Sequence, residues 1–171
     1  EDFKKRNKKI VCITYTNVAK NEIIERTEQN DLIFVSTIHD FLWQLIKNFQ
    51  KELKIKFIEL INERLDKQKE VLAGCTERAV KKRENALNRI EKYEMALEQL
   101  TTNAITISYD NILNYSEGKF SHDELIIIAE KIFSSYTRIR KIASDSFPII
   151  LVDEYQDTQK ETILILLEYL L

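Results

Sequence analysis

Near the start of the chain, apolar residues gather in two short β-branched runs, "IVCITY" (10–15) and "IFVS" (33–36), each closed off by polar segments. Runs of that length and composition are typical of buried parallel strands. Between them, Ile23 and Ile24 stand among Lys, Asn, Glu and Arg from about Val18 to Glu28, which predicts a helix laying one face on a sheet. A third run, "FPIILVD" (147–153), opens with the chain's single proline, a residue suited to the first position of a strand and not its interior. A last helix, Gln159 to Leu171, is predicted after it. Its "TILILLEYLL" carries more large apolar residues than a free surface holds.

From about 40 to 146 the period turns helical. Phe41, Leu45, Phe49, Leu53, Phe57 and Leu60 recur at helical spacing, as do Ala86, Ile90, Tyr93, Leu97 and Leu100 at alternating steps of four and three. The two stripes predict an antiparallel pair of long helices, with Gly74 as the stop and Thr76 as the new N-cap. One interrupted helix is the alternative. "ITISY" (105–109) alternates as a short strand does, and Ser121 to Glu124 reads as a capping box opening the helix "ELIIIAEKIF". The fold class is therefore α/β. Residues 1–39 and 147–171 supply a partial parallel sheet, and residues 40–146 form a large, mostly α-helical insertion.

Composition narrows the classes further. With 171 residues, 32% of them charged and only two glycines, the chain suits long solvated helices better than compact β structure. A formal charge of −2 excludes a uniformly basic nucleic-acid wrapper, so any nucleic-acid contact belongs to a local surface. Cys12 and Cys75 have neither CxxC spacing nor a nearby His, as expected of structural, reduced thiols. No apolar stretch approaches a membrane span, and "EDFKKRNKK" lacks the apolar segment of a signal peptide. A soluble, cytoplasmic protein without membrane partners is the expectation.

Chemistry concentrates where the third strand ends. Asp153 and Glu154 follow directly on an apolar run, and acids at the carboxyl end of a buried parallel strand lie where open α/β sheets bind ligands. Nucleotide hydrolases use such a pair: one carboxylate orients Mg2+ on the β and γ phosphates, and a second positions or deprotonates the attacking water. By itself, a "DE" after an apolar run is also the ordinary polar end of a strand, leading into a helix capped by Asp157 or Thr158.

The longer string is more specific. "VDEYQDT" (152–158) resembles the Walker B motif of the UvrD, Rep and PcrA family of superfamily 1 DNA helicases, in which DE is followed by an aromatic, QD and then T or S. "ITYTNVAKNEIIER" (13–26) looks like that family's motif Ia, which contacts single-stranded DNA, and "VSTIHDF" (35–41) looks like its motif Ib, in the same order. The resemblance implies that 1–39 and 147–171 are part of the RecA-like subdomain 1A, a P-loop NTPase fold, and that 40–146 is subdomain 1B. It implies an ATP-dependent DNA helicase or translocase, with ATP and Mg2+ as cofactors, single-stranded DNA and the junction with duplex as partners, and DNA repair among its settings. By the same resemblance Asp153 orients magnesium, Glu154 activates water, and Gln156 couples nucleotide state to the DNA site. Tyr15, Thr16, Asn17, Thr37 and His39 would contact the single strand. An aromatic ring stacks on any base and helix N-termini accept phosphates, so such a platform binds with little base preference. Tyr15 stands where phenylalanine is usual and keeps a ring, whereas Ile38 replaces a usual phenylalanine and removes one. Simpler roles are a helix cap for Thr37 and a satisfied polar histidine for His39.

A phosphate-binding P-loop needs glycines, and neither Gly74 nor Gly118 starts one; Gly118 reads as a turn. The resemblance places that loop before Glu1 and a second RecA-like domain after Leu171. The expectation is a fragment that is inactive alone and belongs to a larger enzyme. "ERAVKKRENALNR" (77–89) would by resemblance touch duplex DNA, although a charged helix face is more often simply solvated. The rival reading is a non-catalytic helical protein-interaction module with the acids as caps. A third is the nuclease-linked helicases of recombination, which share these motifs.

Overall fold

The computed structural model describes residues 8–76, 79–110, 112–153 and 160–170. They fall into two compact units, one from the described parts of 1–48 and 125–171, the other from those of 49–124.

In the first unit, β1 (Ile10–Thr14), β2 (Ile33–Thr37) and β5 (Ile149–Val152) form a wholly parallel sheet in the order β2-β1-β5. Val11 stands opposite Phe34 and Ile150, and Ile13 opposite Ser36 and Val152, so the side-chain alternation of all three strands runs in phase. Val11 and Ile13 are buried on one face. That face meets an aromatic cluster in which Phe147 lies 5.7 Å from Phe34 and edge-on to Phe41 at 5.3 Å. Helices α2 (Ile38–Ile46) and α5 (His122–Ser135) bury Phe41, Leu42, Ile46, Leu125, Ile128 and Phe133. On the other face α1 (Asn17–Arg26) lies beside β1 and β2, whereas Leu151 of β5 stays 54% exposed.

Helix α1 stops short of the predicted Glu28. The Thr27 hydroxyl donates to the Ile23 carbonyl at 2.7 Å, and Glu28 and Gln29 take left-handed backbones, φ 51° and 54°, that no helix continues. The stripe from Phe41 to Leu60 is likewise divided. Lys47 N–H closes α2 on Trp43, and α3 (Gln50–Ala73) starts after Phe49, whose φ of −95° and ψ of 58° leave the helical region. The new start is pinned by Gln50, whose side-chain amide accepts from Ile107 N–H at 2.9 Å and donates to its carbonyl at 3.1 Å.

The second unit is built on α3 and α4 (Val80–Thr102). They run antiparallel: Lys69 meets Glu94 at 3.3 Å near the tip, and Lys54 Nζ reaches the Asn103 carbonyl at the base. Gly74 ends α3 as expected, but Thr76 is not the next cap. Ala79 occupies that position without a side-chain bond, and Thr76 offers its carbonyl to Ala79 N–H. Two-residue strands β3 (Ser108–Tyr109) and β4 (Lys119–Phe120) pair beside a 3-10 turn, Tyr115–Glu117, that closes on Gly118 at φ 72°. A Cβ there would lie 2.7 Å from Ile105 Cγ2, so the turn needs glycine for both backbone and space. The return bond of the predicted capping box is present, Ser121 N–H donating to the Glu124 carboxylate, to which the Ser121 hydroxyl also donates. Phe57 stacks near Phe120 and Tyr115 at 5.8 and 5.7 Å to complete this core.

Two further helices return to the first unit. α6 (Thr137–Ser146) leads into β5, and α7 (Lys160–Ile165) widens into a π-helix over Leu166–Leu170. Ile165, Leu166 and Leu170 are buried there. Sheet and insertion together are the α/β class that the patterning predicts.

Candidate functional site

Because the three strands are parallel and in register, their carboxyl ends share one edge. Thr14 faces Thr37 across β1 and β2, and Asp153 continues β5 by donating its N–H to the Ile13 carbonyl at 2.8 Å. Its carboxylate is exposed. Glu154, Gln156, Asp157 and Thr158 lie outside the described residues.

Beside Asp153, β1 turns into α1 through Tyr15 and Thr16 alone. Buried Thr14 shapes the turn, donating its hydroxyl to the Thr16 carbonyl at 3.1 Å. Thr16 is extended, and its Oγ1 accepts from Ala19 N–H at 3.2 Å, which makes it the N-cap. β2 repeats the device, with Thr37 accepting from Asp40 N–H at 3.3 Å. Both threonines are therefore caps. A hydroxyl that accepts retains one hydrogen to donate, so capping leaves each a polar contact for a ligand. Tyr15 stands 61% exposed and Val18 78% exposed; Thr16 and Asn17 are exposed too, whereas His39 is half-buried. The structure thus brings Tyr15, Thr16, Asn17, Thr37, His39 and Asp153 to one end of one sheet.

Two helices begin at this edge, so their N-terminal N–H groups and positive dipole ends converge on it. Lys20 of α1 and Asp40 of α2 bridge the two first turns at 3.8 Å. Sequence reading missed this pair. Its only signals are an acid three residues after one capping threonine and a lysine four residues after the other, and neither means anything until the strands are known to be neighbours.

An open cleft of about 450 Å³ lies against Asp153, floored by Cys12, Ile13, Ala19, Ile23 and Leu151. Its rim carries the Glu22–Arg26 pair at 2.6 Å. Burial pushes the Cys12 thiol up, away from thiolate chemistry. No glycine lines the cleft, and both glycines belong to the 49–124 unit. Among the described residues no three His, Cys, Asp or Glu side chains cluster to hold a metal. One strand-end carboxylate nonetheless fits magnesium, which takes one or two carboxylates together with phosphate oxygens and water instead of an all-protein cage. Among the described residues no helix is long and apolar enough to cross a membrane.

The family model described as UvrD/REP helicase N-terminal domain matches residues 3–168. Gabija protein GajB from Bacillus cereus (strain HuB5-5) is 29% identical, in an alignment covering 97% of this chain and 33% of the relative. The chain thus spans about a third of the length of that curated relative. No solved structure matches.

Proposed function

Since the chain belongs to the UvrD/REP helicase N-terminal domain family, we propose that it grips single-stranded DNA and positions magnesium and water within a larger ATP-dependent DNA helicase or translocase. Its small parallel sheet with a helical insertion is a partial RecA-like α/β fold. In this reading the sheet unit is subdomain 1A and the insertion subdomain 1B.

Asp153 would hold the magnesium ion that neutralises charge on the nucleotide phosphates. Glu154 takes the proton of the attacking water, and Gln156 links the nucleotide site to the strand. Tyr15 stacks on a base, while Thr16, Asn17, Thr37 and His39 face the sugar-phosphate backbone at two helix N-termini. In this reading the glycine-rich phosphate cradle and the arginines that sense the γ-phosphate are supplied by other parts of the full-length protein, and hydrolysis needs them together with these residues.

One observation carries the proposal: the register that sets Asp153 on the same sheet edge as Thr14, one residue from Tyr15. Nucleotide chemistry and strand contact then share a single rigid support. In the full-length protein, Asp153→Asn should lower ATP hydrolysis at least about a hundredfold. Single-strand affinity, measured by fluorescence anisotropy, should be unchanged. Hydrolysis at the parent rate in that variant would end this reading.

A further inference from the structure

Lys20 and Asp40 have no role in the site as described, yet they link the first turns of the two helices that begin there. Lys20 lies on the first turn of α1 and Asp40 on the first turn of α2, and the two helices rise from adjacent, in-register strands. Their side chains meet at 3.8 Å while remaining 29% and 52% exposed. A solvated pair at that distance contributes about 0–1 kcal/mol, too little to explain it as a staple.

The placement of the two charges is asymmetric. Asp40 suits its position, because an acid in the first turn interacts favourably with the helix dipole and its own backbone N–H is already capped by Thr37. Lys20 does not suit its position, since a cation near a helix N-terminus is disfavoured by the same dipole. What it gains there is an anion between two converging helix ends. In the free protein Asp40 is that anion. A phosphodiester arriving at this edge is a better one, since helix N-terminal N–H groups also donate hydrogen bonds to phosphate oxygens.

We propose that Lys20 contacts a backbone phosphate of single-stranded DNA bound at this edge, and that Asp40 is its resident counterion, displaced when the strand binds. The inference rests on the single-strand reading above and adds an ion exchange to it. Asp40 then weakens binding in two ways, by holding Lys20 back and by repelling the incoming phosphate. Removing either member of the pair therefore has opposite consequences, which no structural role would produce.

The test is a salt titration of the full-length protein with a labelled oligothymidine, read by fluorescence anisotropy. Lys20→Ala should weaken binding and make the slope of log affinity against log salt shallower by about 0.7, the value of one phosphate contact on a single strand. Lys20→Arg should restore the slope. Asp40→Asn should tighten binding and steepen the slope. If Lys20→Ala and Asp40→Asn shift affinity in the same direction with the slope unmoved, the pair is only a strut and the proposal is wrong. If the parent protein itself does not bind oligothymidine, the single-strand reading falls first, and this one with it.

Discussion

At Glu124 two opposing effects act on one carboxylate. Burial alone would raise its pKa, since the side chain is only 4% exposed. Hydrogen bonds from Ser121 and the Arg64 guanidinium at 2.7 Å outweigh that and hold the carboxyl below its usual range. Tyr115, itself pushed above the usual phenol range by burial, donates to Glu124 at 3.4 Å and accepts from Arg64. A carboxylate whose pKa is depressed on folding stabilises the protein above its unfolded value, here the ordinary 4.5, and loses that contribution as pH falls through the folded value. Glu124→Gln should therefore lower stability by about 1–3 kcal/mol near neutrality, the range discounted for partly solvated Arg64. Denaturant unfolding below pH 4.5 should show the parent converging on the variant. A constant gap across that range would mean that the carboxylate's charge is irrelevant.

At the scale of elements, the turn from β1 into α1 carries the clearest functional prediction. Tyr15 is exposed and the turn beneath it is fixed by Thr14 and Thr16, so the ring can be changed without touching a core. Tyr15→Ala should reduce single-strand affinity by about 1–3 kcal/mol, Tyr15→Phe should retain it, and thermal melting should not move in either. The same turn shows what was legible in the sequence. "IVCITY" and "IFVS" announced strands by length and β-branching, and a helix cap was legible at Thr37; the cap at Thr16 was not. Helix ends were harder to read. The break at Phe49 depends on Gln50 clasping Ile107, a partner 57 residues away that local periodicity does not contain. Thr76 looked like a cap because threonine prefers that position, yet α4 starts later, behind Ala79. The acidic string "VDEYQDT" was the most specific signal of function, and of its acids only Asp153 lies among the described residues. Lys20 and Asp40 could not be paired without the register of β1 against β2.

At the scale of the whole molecule, each unit carries its own hydrophobic core. Phe57, fully buried between Phe120 and Tyr115, belongs to the 49–124 unit. Phe57→Ala should cost about 3–5 kcal/mol there. By hydrogen exchange, amides of α3 and α4 should lose protection, while those of β1 keep theirs. Equal loss in β1 would show that the units unfold as one.

The sheet has a further consequence for synthesis. β1 lies between β2 and β5, and the entire helical insertion separates it from β5 along the chain. A nascent chain therefore displays Val11 and Ile13 on a half-made sheet until translation has passed Pro148. Joining ends so far apart carries a loop-closure cost that grows only logarithmically with length, but such contacts form late and slowly. During that interval the bare side of β1 is open to mispairing, and the wait lasts as long as the ribosome takes to read through the insertion.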